Sequence, residues 1–263
     1  QAVYLYTQVA QNYSGDARSF FDSTRRPDNA QDPAARDRFR LATIDLGGGT
    51  TDLVVTSIAV DGSGAHVTMT PFQEFREGFN LAGDDALLKV VQEHVVAPLR
   101  TRMKALGERA DGVLNQLIGG DHGEKQAVEY VRRQQFAAQV AAPIALGLLQ
   151  AYESFDPLSP VPATTRKFSE FFGADAMPSD ELLAYVNAAV AKAGLPDFKI
   201  EEMEFEVSLP AIDLTVRSVF IDMLRALGEI VYRYRCDVLI LSGRTSRLPA
   251  VRALIEESAA LPT

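Results

Sequence analysis

The chain has 263 residues and a mass of 28.7 kDa, with 47% hydrophobic and 23% charged residues, ordinary values for one large or two small globular domains. Lys and Arg number 26 against 35 Asp and Glu, so the net charge of −9 lacks the positive footprint of a general nucleic-acid binder. The single cysteine, Cys236, excludes an internal disulfide and, with three scattered histidines, a zinc cluster. We predict that it is a small buried apolar residue.

The N-terminal segment, residues 1–13, has no basic start followed by an apolar run, so it does not resemble a signal peptide. Its amphipathic pattern predicts a helix, and because the chain starts with Gln1 we expect a piece of a longer cytoplasmic protein. The most apolar stretch, residues 140–149, has ten residues, whereas a membrane helix needs about 20. We therefore predict buried core there and no membrane span.

Hydrophobic periodicity and turn residues predict an α/β chain. The expected N-terminal elements are helices over 1–13 and 18–24, a polar surface loop over 25–38, and an antiparallel meander of strands over 39–46, 50–60 and 66–75, with a turn at 61–64. The expected later elements are helices over 84–106, 124–152 (bent at Pro143) and 179–193, a strand over 203–209, a helix over 215–235, a strand over 237–241 and a helix over 249–260.

Three glycines between the first two strands form the strongest candidate site. The residues in question are Asp45, Gly47, Gly48, Gly49, Thr50, Thr51 and Asp52. Glycine lets the backbone approach a ligand closely and adopt positive φ, and successive N–H groups can hold phosphate oxygens. The threonines add hydroxyl donors, and Asp45 is placed to hold Mg²⁺ through water. The alternative is a glycine-rich hairpin with two solvated aspartates. The motif is neither a P-loop nor a Rossmann fingerprint, because a strand follows the turn.

This motif resembles the second phosphate motif of the actin, sugar-kinase and DnaK-type chaperone ATPase superfamily. The resemblance implies an actin-like, ribonuclease H-like domain II, with a mixed sheet flanked by helices and a helical inserted subdomain. We expect the core over residues 1–82 and 210–263 and the insertion over 83–209. The resemblance also implies ATP or ADP with Mg²⁺ as the ligand, and Asp45 as the metal-binding and catalytic residue.

Two further segments follow in the order that this superfamily has. Residues 81–85 resemble a Leu-Gly-Gly-Glu-Asp stretch of the chaperones, which implies that Gly83 lies beside the nucleotide; the alternative is simple helix capping by Asp84. Residues 239–249 resemble the adenosine motif. The implied nucleoside contacts are Gly243, Arg244, Thr245 and Arg247, with Arg247 stacking on the base. Arg244 replaces the second glycine of the motif; the alternative is an ordinary strand–turn–helix with surface arginines.

The 44 residues before Asp45 contain no second phosphate turn, so the chain resembles the second domain alone. Hydrolysis needs both halves of a phosphate clamp together, so we expect negligible ATPase activity from this chain, and the first ATPase domain of the full-length protein as a partner. Residues 130–152 correspond to the helix that clamps adenosine in the chaperones. Within this range residues 136–149 are nearly all apolar, so the nucleotide is held loosely or this surface packs elsewhere.

Residues 241–249, residues 142–153 and the early Tyr-Leu-Tyr helix resemble bacterial virulence factor SrfB proteins. The leading hypothesis is a nucleotide-binding half of an actin-like ATPase. A second hypothesis is a degenerate module that serves as a scaffold for an unidentified protein partner. A third is a small-molecule kinase of the sugar or acetate type, for which we find neither an acceptor pocket nor a catalytic base.

Overall fold

The computed structural model describes residues 2–32, 38–63, 66–119, 127–159, 161–173 and 176–259. The chain divides into two compact units. The first unit comprises Gln1–Asp85 and Val219–Thr263, and the second comprises Ala86–Ser218. The α/β class with a mixed sheet is confirmed.

The first unit contains a four-stranded sheet and its helices. Its elements are α1 (Ala2–Asn12), α2 (Ala17–Thr24), α3 (Pro27–Gln31), β1 (Arg38–Leu46), β2 (Thr51–Ser63), β3 (His66–Phe79), the start of α4 (Gly83–Val90), the end of α10 (Leu209–Arg233), β6 (Val238–Ser242) and α11 (Pro249–Ala259). The strand order is β3-β2-β1-β6. The first three strands form the expected antiparallel meander, and β6 lies parallel to β1.

The predicted turn at 61–64 is wrong in extent. The β2–β3 pairing continues to Ser63 opposite His66, and residues 64–65 lie outside the described part of the chain. Glycine at position 62 does not end the strand, because its partner Val67 keeps the ladder in register.

The sheet is buried on both faces along β1, because successive side chains of a strand point to opposite sides. Phe39 and Leu41 pack in an apolar cluster with Phe20 and Phe21 of α2. Ile44 and its neighbours at positions 42 and 46 are buried on the opposite face. This two-sided burial holds β1 rigidly up to the glycine turn that follows it.

The predicted polar loop over 25–38 is wrong in its first part, which folds as α3 with Arg26 and Asn29 buried. The reason is Asp237, whose Oδ1 accepts hydrogen bonds from the Arg26 N–H at 2.9 Å and from Asn29 Nδ2 at 2.7 Å. Its Oδ2 accepts from the Arg40 N–H at 2.7 Å. A buried carboxylate needs such donors, so the polar segment folds inward around it. Residues 33–37 lie outside the described residues.

The second unit is mainly helical. Its elements include α5 (Ala97–Arg102), α6 (Arg109–Ile118), α7 (Ala127–Phe136), α8 (Ala142–Tyr152), α9 (Asp180–Ala193) and an antiparallel pair, β4 (Thr164–Lys167) and β5 (Glu204–Val207). The sequence patterns missed α6 and β4, which are short. Helix α9 ends at Gly194, whose φ of 121° suits the predicted glycine stop.

The two long helices predicted over 84–106 and 124–152 are each interrupted. Residues Val91–Val96 and Ala137–Ala141 form π-helical turns, and Pro98 and Pro143 lie near the start of the α-helices that follow. Proline cannot donate the helical hydrogen bond, so the preceding carbonyls shift their partners. The bend expected at Pro143 is therefore a widened turn just before it.

The apolar stretch over 140–149 forms core, as predicted: Val140, Ile144 and Leu148 are at most 1% exposed. Across the described residues, no helix has both the length and the hydropathy to cross a membrane. Cys236 is buried, as predicted, and burial raises the pKa of its thiol to about 12.

Candidate functional site

The candidate site lies at one end of the first unit's sheet, where β1 and β6 run side by side. Their parallel register places Asp45 opposite Ser242, so both strands end together. The glycine turn follows β1 directly, and the 243–247 turn follows β6. Ligands of open α/β sheets bind beyond the carboxyl ends of the strands, which is where these two turns meet.

The turn over 47–50 is closed by a hydrogen bond from the Gly47 N–H to Thr50 O at 2.9 Å. Contrary to the expectation of positive φ, none of the three glycines adopts a left-handed conformation. A Cβ at Gly48 would lie 3.5 Å from Asp84 Oδ1, and one at Gly49 would lie 4.0 Å from Asp84 Oδ2. Both are ordinary contacts, so the fold itself does not require glycine at these two positions.

The 81–85 segment lies against this turn. The Gly83 N–H donates to Gly47 O at 3.1 Å, and the Asp84 N–H donates to Gly48 O at 2.7 Å. A Cβ at Gly83 would lie 2.5 Å from Thr245 Oγ1, so here the packing does require glycine. The close approach of backbones explains this glycine without a ligand.

The 243–247 turn is fixed from the other side. Gly243 has φ +85°, and a Cβ there would lie only 2.1 Å from Leu46 O, so no other residue fits. Thr245 is 7% exposed, and its Oγ1 donates to Gly47 O at 2.9 Å. The carbonyl of Gly47 therefore accepts hydrogen bonds from both neighbouring segments, which brings all three sequence motifs together.

Asp45 and Asp52 are directly opposite each other in the β1–β2 ladder. Cross-strand partners share a face of the sheet, so the two carboxylates lie on the same side. Asp45 Oδ1 accepts a hydrogen bond from Ser242 Oγ at 2.8 Å. Like charges directly opposite each other are destabilising, and a cation bound through water would relieve the repulsion. Among the described residues, no cluster of three or more ligating side chains could hold a metal directly.

Two arginines lie in the turn that follows β6. Arg244 and Arg247 lie in a 3₁₀ turn, Arg244–Arg247, directly after Gly243, and both are exposed. Their guanidinium groups are planar and can stack on an aromatic base or pair with a phosphate.

The comparison with protein families matches the virulence factor SrfB family over residues 1–263. The chain belongs to the SrfB family. This confirms the family expected from the sequence, and no curated protein matches the chain.

The Thr51 hydroxyl of this SrfB chain does not fit its expected role as a ligand donor, and the hydroxyl of Thr245, an expected nucleoside contact, is already hydrogen-bonded within the fold. Thr51 is fully buried and its Oγ1 donates to Leu81 O at 2.7 Å, while the Thr245 hydroxyl donates to Gly47 O. Each hydroxyl has one proton, so neither can donate it to a phosphate as well. Both residues position the turn. Thr50 is exposed, and only a long 3.5 Å contact joins its Oγ1 to Asp52 Oδ2.

Sequence reasoning included Ser242 and Asp84 in the segments of this region of the SrfB chain, but it gave neither residue a role at the site. Ser242 is the hydroxyl that orients Asp45, and Asp84 lies beside the glycine turn. The signal for Ser242 was its place at the end of a strand, but the register that brings it to Asp45 joins residues 197 positions apart.

Proposed function

We propose that the first unit binds ATP or ADP as a Mg²⁺ complex, with the fold of the second domain of an actin-like ATPase. The phosphates lie on the 47–50 turn, Asp45 and Asp52 face the metal through water, and Gly83, Gly243, Arg244 and Arg247 border the nucleoside. Mg²⁺ supplies neutralisation of phosphate charge, and the chain's own residues orient it.

The observation that carries this proposal is the pair of glycines that the fold does not need. Gly48 and Gly49 have no left-handed φ, and a methyl group on either would meet no close protein atom. Within the described residues, their N–H groups donate no hydrogen bond. Free amides on a turn without side chains are what a phosphate requires, because its oxygens must reach the backbone.

The proposal covers binding, and we expect turnover only in the full-length protein. The turn contacts the phosphates from one side, whereas hydrolysis also needs groups that position the attacking water on the other side. We therefore expect no steady-state hydrolysis by these 263 residues. A rate abolished by Asp45→Ala would contradict this expectation.

Calorimetric titration of Mg·ADP into wild type and Gly49→Ala tests the binding site. The methyl group keeps the fold but blocks the phosphate, so affinity should fall by about tenfold or more, the value of a hydrogen bond to a charged group. Asp45→Ala should also weaken binding. The matched control is Gly112→Ala on α6, where a Cβ meets nothing within 4 Å, and its affinity should equal that of wild type. Equal affinities for wild type and Gly49→Ala would contradict the proposal.

One observation favours the second hypothesis, a scaffold without nucleotide. Arg244 places an exposed guanidinium where the resembled motif has a glycine. The same titration separates the two hypotheses: absence of heat with Mg·ADP for wild type, both in this chain and in the full-length protein, would favour the scaffold.

A further inference from the structure

Asp84 lies beside the glycine turn, where its backbone is hydrogen-bonded. Its N–H donates to Gly48 O at 2.7 Å, and its carboxylate oxygens lie 3.5 and 3.8 Å from the Cβ position of Gly48. The side chain is exposed and makes no hydrogen bond to the rest of the described chain. The neighbouring Asp85 differs, because its Oδ2 accepts a hydrogen bond from the Ala82 N–H at 2.8 Å.

This placement has an electrostatic consequence for any anion on the turn. A phosphate held by the amides of Gly48 and Gly49 would have negative charge within several ångströms of the Asp84 carboxylate. Repulsion between two unit charges at 4 Å in water corresponds to about a fivefold loss of affinity. Mg²⁺ bound to the same phosphates would reduce this repulsion, since it carries two positive charges.

We infer that Asp84 is a specificity-determining residue of the nucleotide site: it disfavours metal-free phosphate anions and so selects the Mg²⁺ complex. The inference rests on the proposed function, because it assigns Asp84 a role only if phosphates lie on the 47–50 turn. It adds to that function a residue that discriminates between two forms of the same ligand.

The test measures the dissociation constant of ADP by calorimetry, once with Mg²⁺ and once with a chelator, at constant ionic strength. The ratio of the chelator value to the Mg²⁺ value reports the selectivity. In Asp84→Asn this ratio should fall about fivefold, because binding of free ADP tightens. Asp85→Asn removes the same charge from the same helix start but not from the turn, and its ratio should stay within about twofold of wild type. Asp84→Ser, which keeps a residue favoured at helix starts, should behave as Asp84→Asn does.

Each outcome decides. An unchanged ratio in both Asp84 variants, with wild type binding Mg·ADP, would overturn the inference and leave the proposed function standing. An equal fall in Asp85→Asn would also overturn the inference, since net charge and not position would then be the cause. Failure of wild type and of every variant to bind Mg·ADP would overturn the proposed function and the inference together.

Discussion

The site end of the first unit and the core of the second unit are stabilised in different ways. At the site end of the first unit, three short segments are joined by hydrogen bonds to backbone carbonyls, and Gly47 O alone accepts two of them. The second unit is stabilised by apolar helix faces, with Ile144, Leu148 and Tyr152 all 0% exposed. The candidate site thus forms where backbones approach so closely that side chains do not fit, whereas the core of the second unit depends on close packing of large side chains.

Gly243→Ala should lower the stability most, because the first unit has no space for a Cβ at this position. The Cβ would lie 2.1 Å from Leu46 O, and φ is +85°. We expect a loss of unfolding free energy of about 4 kcal/mol or more, measured by urea denaturation. Gly173→Ala is the control, because a Cβ there meets nothing within 4 Å. A stability of Gly243→Ala close to that of wild type would show that the two turns are not in this contact.

Leu148→Ala tests the second unit in the opposite way. It removes a fully buried side chain, so a cavity should lower the unfolding free energy by about 3 kcal/mol. The affinity for Mg·ADP should not change under conditions where the protein is folded, because the proposed site belongs to the first unit. Leu148→Met conserves volume and should cost less than about 1.5 kcal/mol. A changed affinity in a folded Leu148→Ala protein would contradict the assignment of the site to the first unit alone.

The smallest expected effect is a pH dependence in the second unit. Burial lowers the pKa of His94, against the opposing charges of Glu93 and Glu206, and its Nε2 lies 2.9 Å from Thr215 Oγ1. The folded state therefore binds this proton less readily than the unfolded state. The stabilisation is complete above the ordinary histidine pKa of about 6.5 and is lost as the pH falls below it.

Thermal unfolding between pH 7.5 and 5.5 measures this effect, with His94→Gln as the variant that cannot titrate. Wild type should lose more stability than His94→Gln over this range. The difference should be smaller than the stability losses expected for Gly243→Ala and Leu148→Ala. The pKa of Glu93 is lowered by its hydrogen bond from Thr215. The stabilisation that Glu93 contributes is therefore lost mainly at pH values below this range. Parallel pH profiles for the two proteins would contradict the assignment to His94.

The local parts of the site could be predicted from the sequence, but the hydrogen bonds between segments far apart in the chain could not. Asp45 and the glycines of the first turn stand out because strand, turn and strand are contiguous. Gly243 also stands out in the sequence. Why glycine is required there cannot be predicted from the sequence, because the contact with Leu46 O depends on parallel pairing between distant strands. Thr51 was expected to donate its hydroxyl to a ligand and Thr245 to contact the nucleoside, but in the fold both hydroxyls donate to backbone carbonyls.

In the rest of the fold, too, features with local sequence signals were predicted and features that depend on distant contacts were not. The meander and α9 were predictable, because alternation, periodicity and a glycine stop are local signals. From the sequence, Asp237 was an ordinary residue at the start of a strand. In the structure its carboxylate accepts hydrogen bonds from Arg26, Asn29 and Arg40. The π-helical turns were also missed, since helical periodicity changes little over one wide turn.

The pairing of β1 with β6 has a consequence for how the chain is made. Asp45 and Ser242 are 197 positions apart, so at ribosomal speeds β1 is synthesised roughly 10–40 s before its neighbour. The second unit is a continuous stretch that is complete before β6 is made. During that interval the edge of β1 has no partner from β6, and an unpaired edge favours association with other strands. Nascent chains halted before residue 237 should therefore depend more on chaperones than the complete chain does.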